Sequence, residues 1–199
     1  MRSLKIEIRA DGAVHIEGYV NAVGRDSRPL PSARGKFVEQ VAPGAFDRAC
    51  RACKPVLMHN HRRTLDADTE FFEDNIGLHV SADIRDSEIA DKARNKELRG
   101  WSFGFNVNAG GDSWDDTAQP YPRRTLNDIA VPEVSIIDSS MTPCYVGTSV
   151  EVRGESEITT ETRASEDDAV ELVDTASKIK NEHAIMRKKF EILKEKTKI

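Results

Sequence analysis

"RGWSFGFNV", residues 99 to 107, fits two architectures by its letters and only one by its neighbours. Within it, Gly100-Trp101-Ser102-Phe103-Gly104 fits G-x-S-x-G, which in α/β-hydrolases marks a nucleophilic serine on a strand-to-helix turn. That turn needs a strand before the serine and a helix after it. Here the order is reversed. Asp86 to Leu98 lacks Pro and Gly, puts Ile89, Ala90 and Ala93 on one face, and predicts a helix. After Ser102 the chain alternates, with Phe103, Phe105 and Val107 on one face and Ser102, Gly104 and Asn106 on the other, as a strand does. In α/β-hydrolases the histidine also comes last, and only His183 follows Ser102. The serine therefore heads a strand, and the α/β-hydrolase fold is excluded.

Working outward, the pattern stays rich in short strands. Residues 4 to 20 alternate apolar and polar around Asp11-Gly12, a hairpin signal. Residues 21 to 35 show no periodicity and read as a loop. A helix is expected from Pro43-Gly44 through "AFDRACRACK", then a strand from Pro55 to Met58 ending in His59-Asn60-His61. "ADTEFFEDNIGLHVSADI" (67–84) reads as a second hairpin. "RRTLNDIAVPEVSIID" (123–138) reads as a further strand pair, followed by a turn at Pro143 and a last strand from Val146 to Val152. Many short strands with two helices between them predict an α+β, β-rich barrel or sandwich.

The chain divides by composition. Residues 1–153 form the expected domain. Residues 154–169 are polar and acidic and read as a linker. From 170 to 199 an amphipathic helix is expected, because Leu172, Ala176, Ile179, His183, Met186, Phe190 and Leu193 follow a heptad seam. Charge is polarised along this tail: nine acidic and two basic residues from 151 to 174, three acidic and eight basic from 178 to 199. The net charge of −5 gives no reason to expect a nucleic-acid partner. No apolar run reaches the roughly 20 residues of a membrane span, and the N-terminal residues lack a signal-peptide core, so a soluble intracellular protein is expected.

A serine hydroxyl needs a neighbouring general base to act as a nucleophile. His59 and His61 are the candidates, two apart and so on one face of an extended segment. A carboxylate would fix the imidazole tautomer, and Glu133, an acid inside the apolar strand "IAVPEVSII", is placed to do so. Cys50 and Cys53 form a lone C-x-x-C within the predicted helix. With three cysteines and no secretion signal they read as reduced thiols, and a zinc site with His59 and His61 is the weaker alternative. No metal and no cofactor is expected.

Five blocks in order, "VAPGAF", "VLMHN", "EDNIGLHV", "LRGWSFGFNV" and "RRTLNDIAVPEVSIIDSSMTPCY", resemble the tailed-phage prohead serine proteases over residues 5 to 150. The resemblance implies a β-barrel with surrounding helices, like the herpesvirus maturation protease. It implies a serine endopeptidase with Ser102 as nucleophile. His59, followed six residues on by Leu65, is the better fit for the base, and His61 is the alternative. Glu133 is the implied third member, with Ser135 or Asp138 behind it. Where the family often has Leu-Gly after the histidine, this chain has Leu65-Asp66. Capsid and scaffold proteins are the implied substrates, cut in the host cytoplasm inside the assembling prohead. A homo-oligomer is implied, with no nucleic acid and no membrane. The linker at 155–168 is an accessible place for self-cleavage. The rival reading is a non-catalytic assembly or scaffold protein acting through its C-terminal helix.

Overall fold

The computed structural model describes residues 3–9, 11–33, 35–141, 161–166 and 169–174. In chain order, the first elements are β1 (Ser3–Ile8), β2 (Val14–Ala22), β3 (Leu30–Ser32) and β4 (Gly35–Val41), then helix α1 (Ala45–Ala52). Next come β5 (Val56–His59), β6 (Arg63–Thr64), β7 (Ala67–Glu73), β8 (Gly77–Ile84) and helix α2 (Ser87–Arg94). The chain continues through β9 (Leu98–Val107), β10 (Asp112–Asp115), β11 (Arg123–Leu126) and β12 (Ile129–Asp138), and the last described elements are β13 (Glu161–Glu166) and β14 (Ala169–Asp174).

These strands make three sheets, ordered β14-β1-β2-β8-β7, β10-β11-β4-β3 and β13-β9-β12-β5-β6. The protein is β-rich and mixed with two helices among the described residues, as the alternation predicts. No closed barrel forms among them. Closure needs an unbroken ladder around the ring, and the pairing here divides into three sheets, two of which end in the short strands β6 and β3.

Both predicted hairpins are present, β1–β2 and β7–β8, and they join through β2–β8 pairing. Their inward residues, Leu4, Ile6, Ile8, Val14, Ile16, Val80, Ala82 and Ile84, are buried. Both predicted helices form as well, although α2 ends at Arg94, and Leu98, expected in the helix, opens β9. The Glu73 carboxylate receives the Gly44 and Asp47 N–H groups at 2.5 and 2.9 Å, placing negative charge at the N-terminus of α1. Asp86 caps α2 by accepting from the Ile89 N–H at 3.1 Å. Each helix buries one small face: Ala45, Phe46 and Ala49 on α1, and Ile89, Ala90 and Ala93 on α2.

Four further sequence expectations change. The loop read over 21–35 contains β3, which turns back onto β4 at Gly35, where φ is +109°. The pair read in 123–138 is two strands in different sheets: β11 joins β10 and β4, while β12 joins β9 and β5. In the segment read as a linker, residues 161–166 are a strand, because the free edge of β9 supplies backbone partners that a polar sequence can use. The helix expected from 170 begins instead as β14, which runs parallel to β1 with Leu172 opposite Ile6. The rest of the heptad seam, the Pro143 turn and the strand read at 146–152 lie outside the described residues.

Phe103 joins the core directly behind the serine. Its ring meets Phe46 edge-on at 5.4 Å and stacks on Phe105 at 5.5 Å. Phe103→Ala should therefore lower stability by about 3–5 kcal/mol, the usual loss for an emptied aromatic site. Urea unfolding of the two proteins measures it.

Candidate active site

Ser102 lies in the middle of β9 rather than at its start, directly opposite Ser135 of β12. Between Ala130 and Glu133 the β12–β9 register slips: three steps along β12 span two along β9. Pro132, which has no N–H to give a ladder, sits in this bulge. The extra residue changes which side of the sheet each position faces. Before it, Ile129 and Val131 are buried and Ala130 is exposed, with Ala130 opposite Asn106. After it, Glu133 and Ser135 stand opposite Gly104 and Ser102. The bulge thus lets one strand give its odd-numbered residues first to the core and then to the serine's face.

The histidine arrives from β5, parallel to β12 on its other side. After His59 the chain reverses in a tight turn closed by the Arg62 N–H donating to the His59 carbonyl at 3.0 Å. Both central residues, Asn60 and His61, are left-handed, with φ of 52° and 57°. Asn tolerates this region better than most residues and His61 less well, a strain of about 1 kcal/mol or more that the surroundings must hold. They do so with four bonds. The Asn60 N–H donates to the Ile136 carbonyl at 3.0 Å, and the Asn60 side chain accepts from the Asp138 N–H at 3.1 Å. The same side chain donates to Ser140 Oγ at 3.3 Å, and the His61 N–H donates to Ser135 Oγ at 3.0 Å.

Held this way, the His61 ring bridges two partners. Its Nε2 lies 2.7 Å from Ser102 Oγ and its Nδ1 2.6 Å from Glu133 Oε1. A carboxylate only accepts, so the proton sits on Nδ1 and the Nε2 lone pair faces the serine hydroxyl. Ser135 Oγ donates to the second Glu133 oxygen at 2.8 Å while accepting from the His61 backbone, tying acid and imidazole to one frame.

His59 does not meet Ser102. Its side chain is 8% exposed, and Nε2 is 3.0 Å from Asp138 Oδ2. The expectation that His59 and His61 share a face fails because the strand ends at His59. The left-handed pair that follows swings His61 away from the alternation of β5. Asp138 therefore serves His59 and the turn rather than the ring beside Ser102. Burial pushes the Asp138 carboxyl up, but hydrogen bonds from Lys92, Ser140 and the Asn60 side chain outweigh it and hold it well below the usual carboxylate range. Lys92, 2.8 Å away, is raised in turn by that bond.

Two arginines of β11 and two cysteines at the end of α1 lie apart from this cluster. Arg123 pairs with Asp26, and Arg124 with Asp112 and Glu39. Cys50 and Cys53 are free thiols at the end of α1, and burial with the nearby Asp47 and Glu73 carboxylates pushes Cys50 up to about 11. Among the described residues no His, Cys, Asp and Glu side chains group as a metal site, and no helix is long and apolar enough to cross a membrane. Sequence reasoning missed the clamping part of Asn60 and of the Ser135 hydroxyl. The signal for Asn60 was its place between two histidines, where a left-handed turn favours Asn.

A family model described as caudovirus prohead serine protease matches residues 2–163. The chain belongs to that family. Membership places it among the serine peptidases of phage capsid maturation. No curated protein and no solved structure matches the chain.

The Lys92–Asp138 pair sets a pH dependence. Asp138 stabilises the fold above the ordinary carboxylate pKa, about 3.9, and that contribution is lost as pH falls toward its lower folded value. Lys92 contributes below its ordinary value of about 10.4, and this is lost only as pH rises through its raised folded value. Asp138→Asn should therefore unfold more easily at pH 7 by about 2 kcal/mol. Its deficit should narrow steadily below about pH 4, which urea titrations across that range can follow.

Proposed function

We propose that the chain is a serine endopeptidase of prohead maturation in which Ser102 is the nucleophile, His61 the general base and Glu133 its orienting carboxylate. The observation that supports this best is the unbroken path from Ser102 Oγ through both His61 nitrogens to Glu133, at 2.7 and 2.6 Å. His59, the better fit by motif spacing, has its Nε2 turned to Asp138 instead.

The chemistry follows from that path. Ser102 Oγ attacks a peptide carbonyl as its proton passes to His61 Nε2. Glu133 stabilises the imidazolium through the Nδ1–H bond, and His61 returns the proton to the leaving amine. The same base then activates water to release the acyl group from Ser102. The substrates are the capsid and scaffold chains of the assembling prohead, together with the chain's own segment at 155–168.

Ser102→Ala and His61→Ala should each reduce cleavage of capsid and scaffold chains by about 10⁴-fold or more, since members of such a unit fail together. His59→Gln should keep fluorophosphonate labelling of Ser102 in the folded protein. Labelling that survives His61→Ala and vanishes in His59→Gln would hand the base to His59.

A further inference from the structure

The third sheet places β9 between β12 and β13, so β13 lies along the edge of the serine's strand that faces away from Glu133 and His61. The pairing is antiparallel, with Ala164 opposite Ser102, Arg163 opposite Phe103 and Ser165 opposite Trp101. Opposed residues in such a pair have Cα atoms about 4.5–5.5 Å apart, so the peptide units around Ala164 run beside the serine. Ser102 itself is only 1% exposed. A serine that attacks peptides in trans has to meet an extended backbone, and the edge of β9 is where a strand can be added.

The sequence of β13, Glu161-Thr162-Arg163-Ala164-Ser165-Glu166, has no large apolar side chain. A strand of this kind is held chiefly by ladder hydrogen bonds, each worth about 1 kcal/mol net, not by burial of its own side chains. It belongs to the low-stability end of the fold, from which exchangeable segments come.

From these observations we infer that residues 161–166 occupy the binding site for an extended peptide substrate. That site is the free edge of β9, where a substrate strand adds antiparallel with its backbone beside Ser102. The chain's own segment is a cis occupant that a peptide in trans must displace. This rests on the reading of Ser102 as nucleophile.

The test uses the full-length chain and two separate variants, Arg163→Pro and Ala164→Pro. Neighbouring residues of an edge strand point their N–H groups in opposite directions, so one proline removes a bond to β9 and the other does not. The probes are a fluorophosphonate for Ser102 and a synthetic peptide of residues 158–169. One of the two variants should label about tenfold faster than the parent, the equivalent of one or two lost ladder bonds. Added peptide should slow it again. Amide exchange of β9 should rise and fall in step. Labelling at the parent rate or slower in both folded variants overturns the inference, and so does peptide that gives no protection. Absence of labelling in all three chains overturns the nucleophile reading instead. In that case the β9 exchange data alone decide whether the strand is displaceable: loss of protection restored by peptide supports it, and unchanged protection overturns it.

Discussion

Strand β12 hydrogen-bonds to β9 on one side and to β5 on the other, and the geometry beside Ser102 depends on that double pairing. Its own residues supply Glu133 and Ser135, β9 supplies Ser102, and the turn leaving β5 supplies His61. Two ladders fix the three backbones at the spacing of sheet neighbours, about 4.8 Å, so short side chains can bridge from strand to strand. The bulge at Pro132 completes the arrangement. A regular strand carrying Ile129 and Val131 inward would also have turned Glu133 inward, among Phe103 and Val134. One extra residue changes the side without breaking the sheet.

The turn at Asn60 and His61 poses the opposite problem, since neither left-handed residue is a glycine. Its strain is held by bonds that all return to β12 or to the residues just beyond it: Ile136, Ser135, Asp138 and Ser140. The Lys92–Asp138–His59 cluster, of which Asp138 and His59 are buried, lies under the same turn. A buried charge such as Asp138 is tolerable only when fully bonded, and here its bonding partners include Asn60 and Ser140. The carboxylate that stabilises the turn therefore differs from the one that faces His61, the histidine beside Ser102. Each keeps to its own imidazole.

Much of this was legible in the sequence because local periodicity carries it. The alternation in 4–20 and 67–84 named both hairpins, and the placement of Ile89, Ala90 and Ala93 named the face of α2. That Ser102 and Glu133 lie in strands was legible too. Three features were not. Which of His59 and His61 lies against Ser102 turns on where β5 ends, a matter of two backbone dihedrals that alternation does not encode. The separation of β11 from β12 is a long-range choice of partner, since β11 lies parallel to β4 some 85 residues earlier, with Arg123 opposite Val38. Strand β13 was hidden because its polar sequence carries no alternating apolar set, and β14 because Leu172 also fits the first position of a helical seam.

Strands held by burial and strands held by edge pairing differ in how readily they open. The β1–β2 hairpin and α1 are pinned by apolar burial and should open only with global unfolding. The segment 161–166 is pinned by backbone bonds alone as far as its sequence allows, and any other extended backbone can offer the same bonds. An edge built from exchangeable hydrogen bonds recognises the strand conformation more than a particular side chain. On the proposal that peptides add at this edge, chains of different sequence could reach the same serine, this chain's own segment among them. The discrimination then has to come from which segments are free to become strands at that edge.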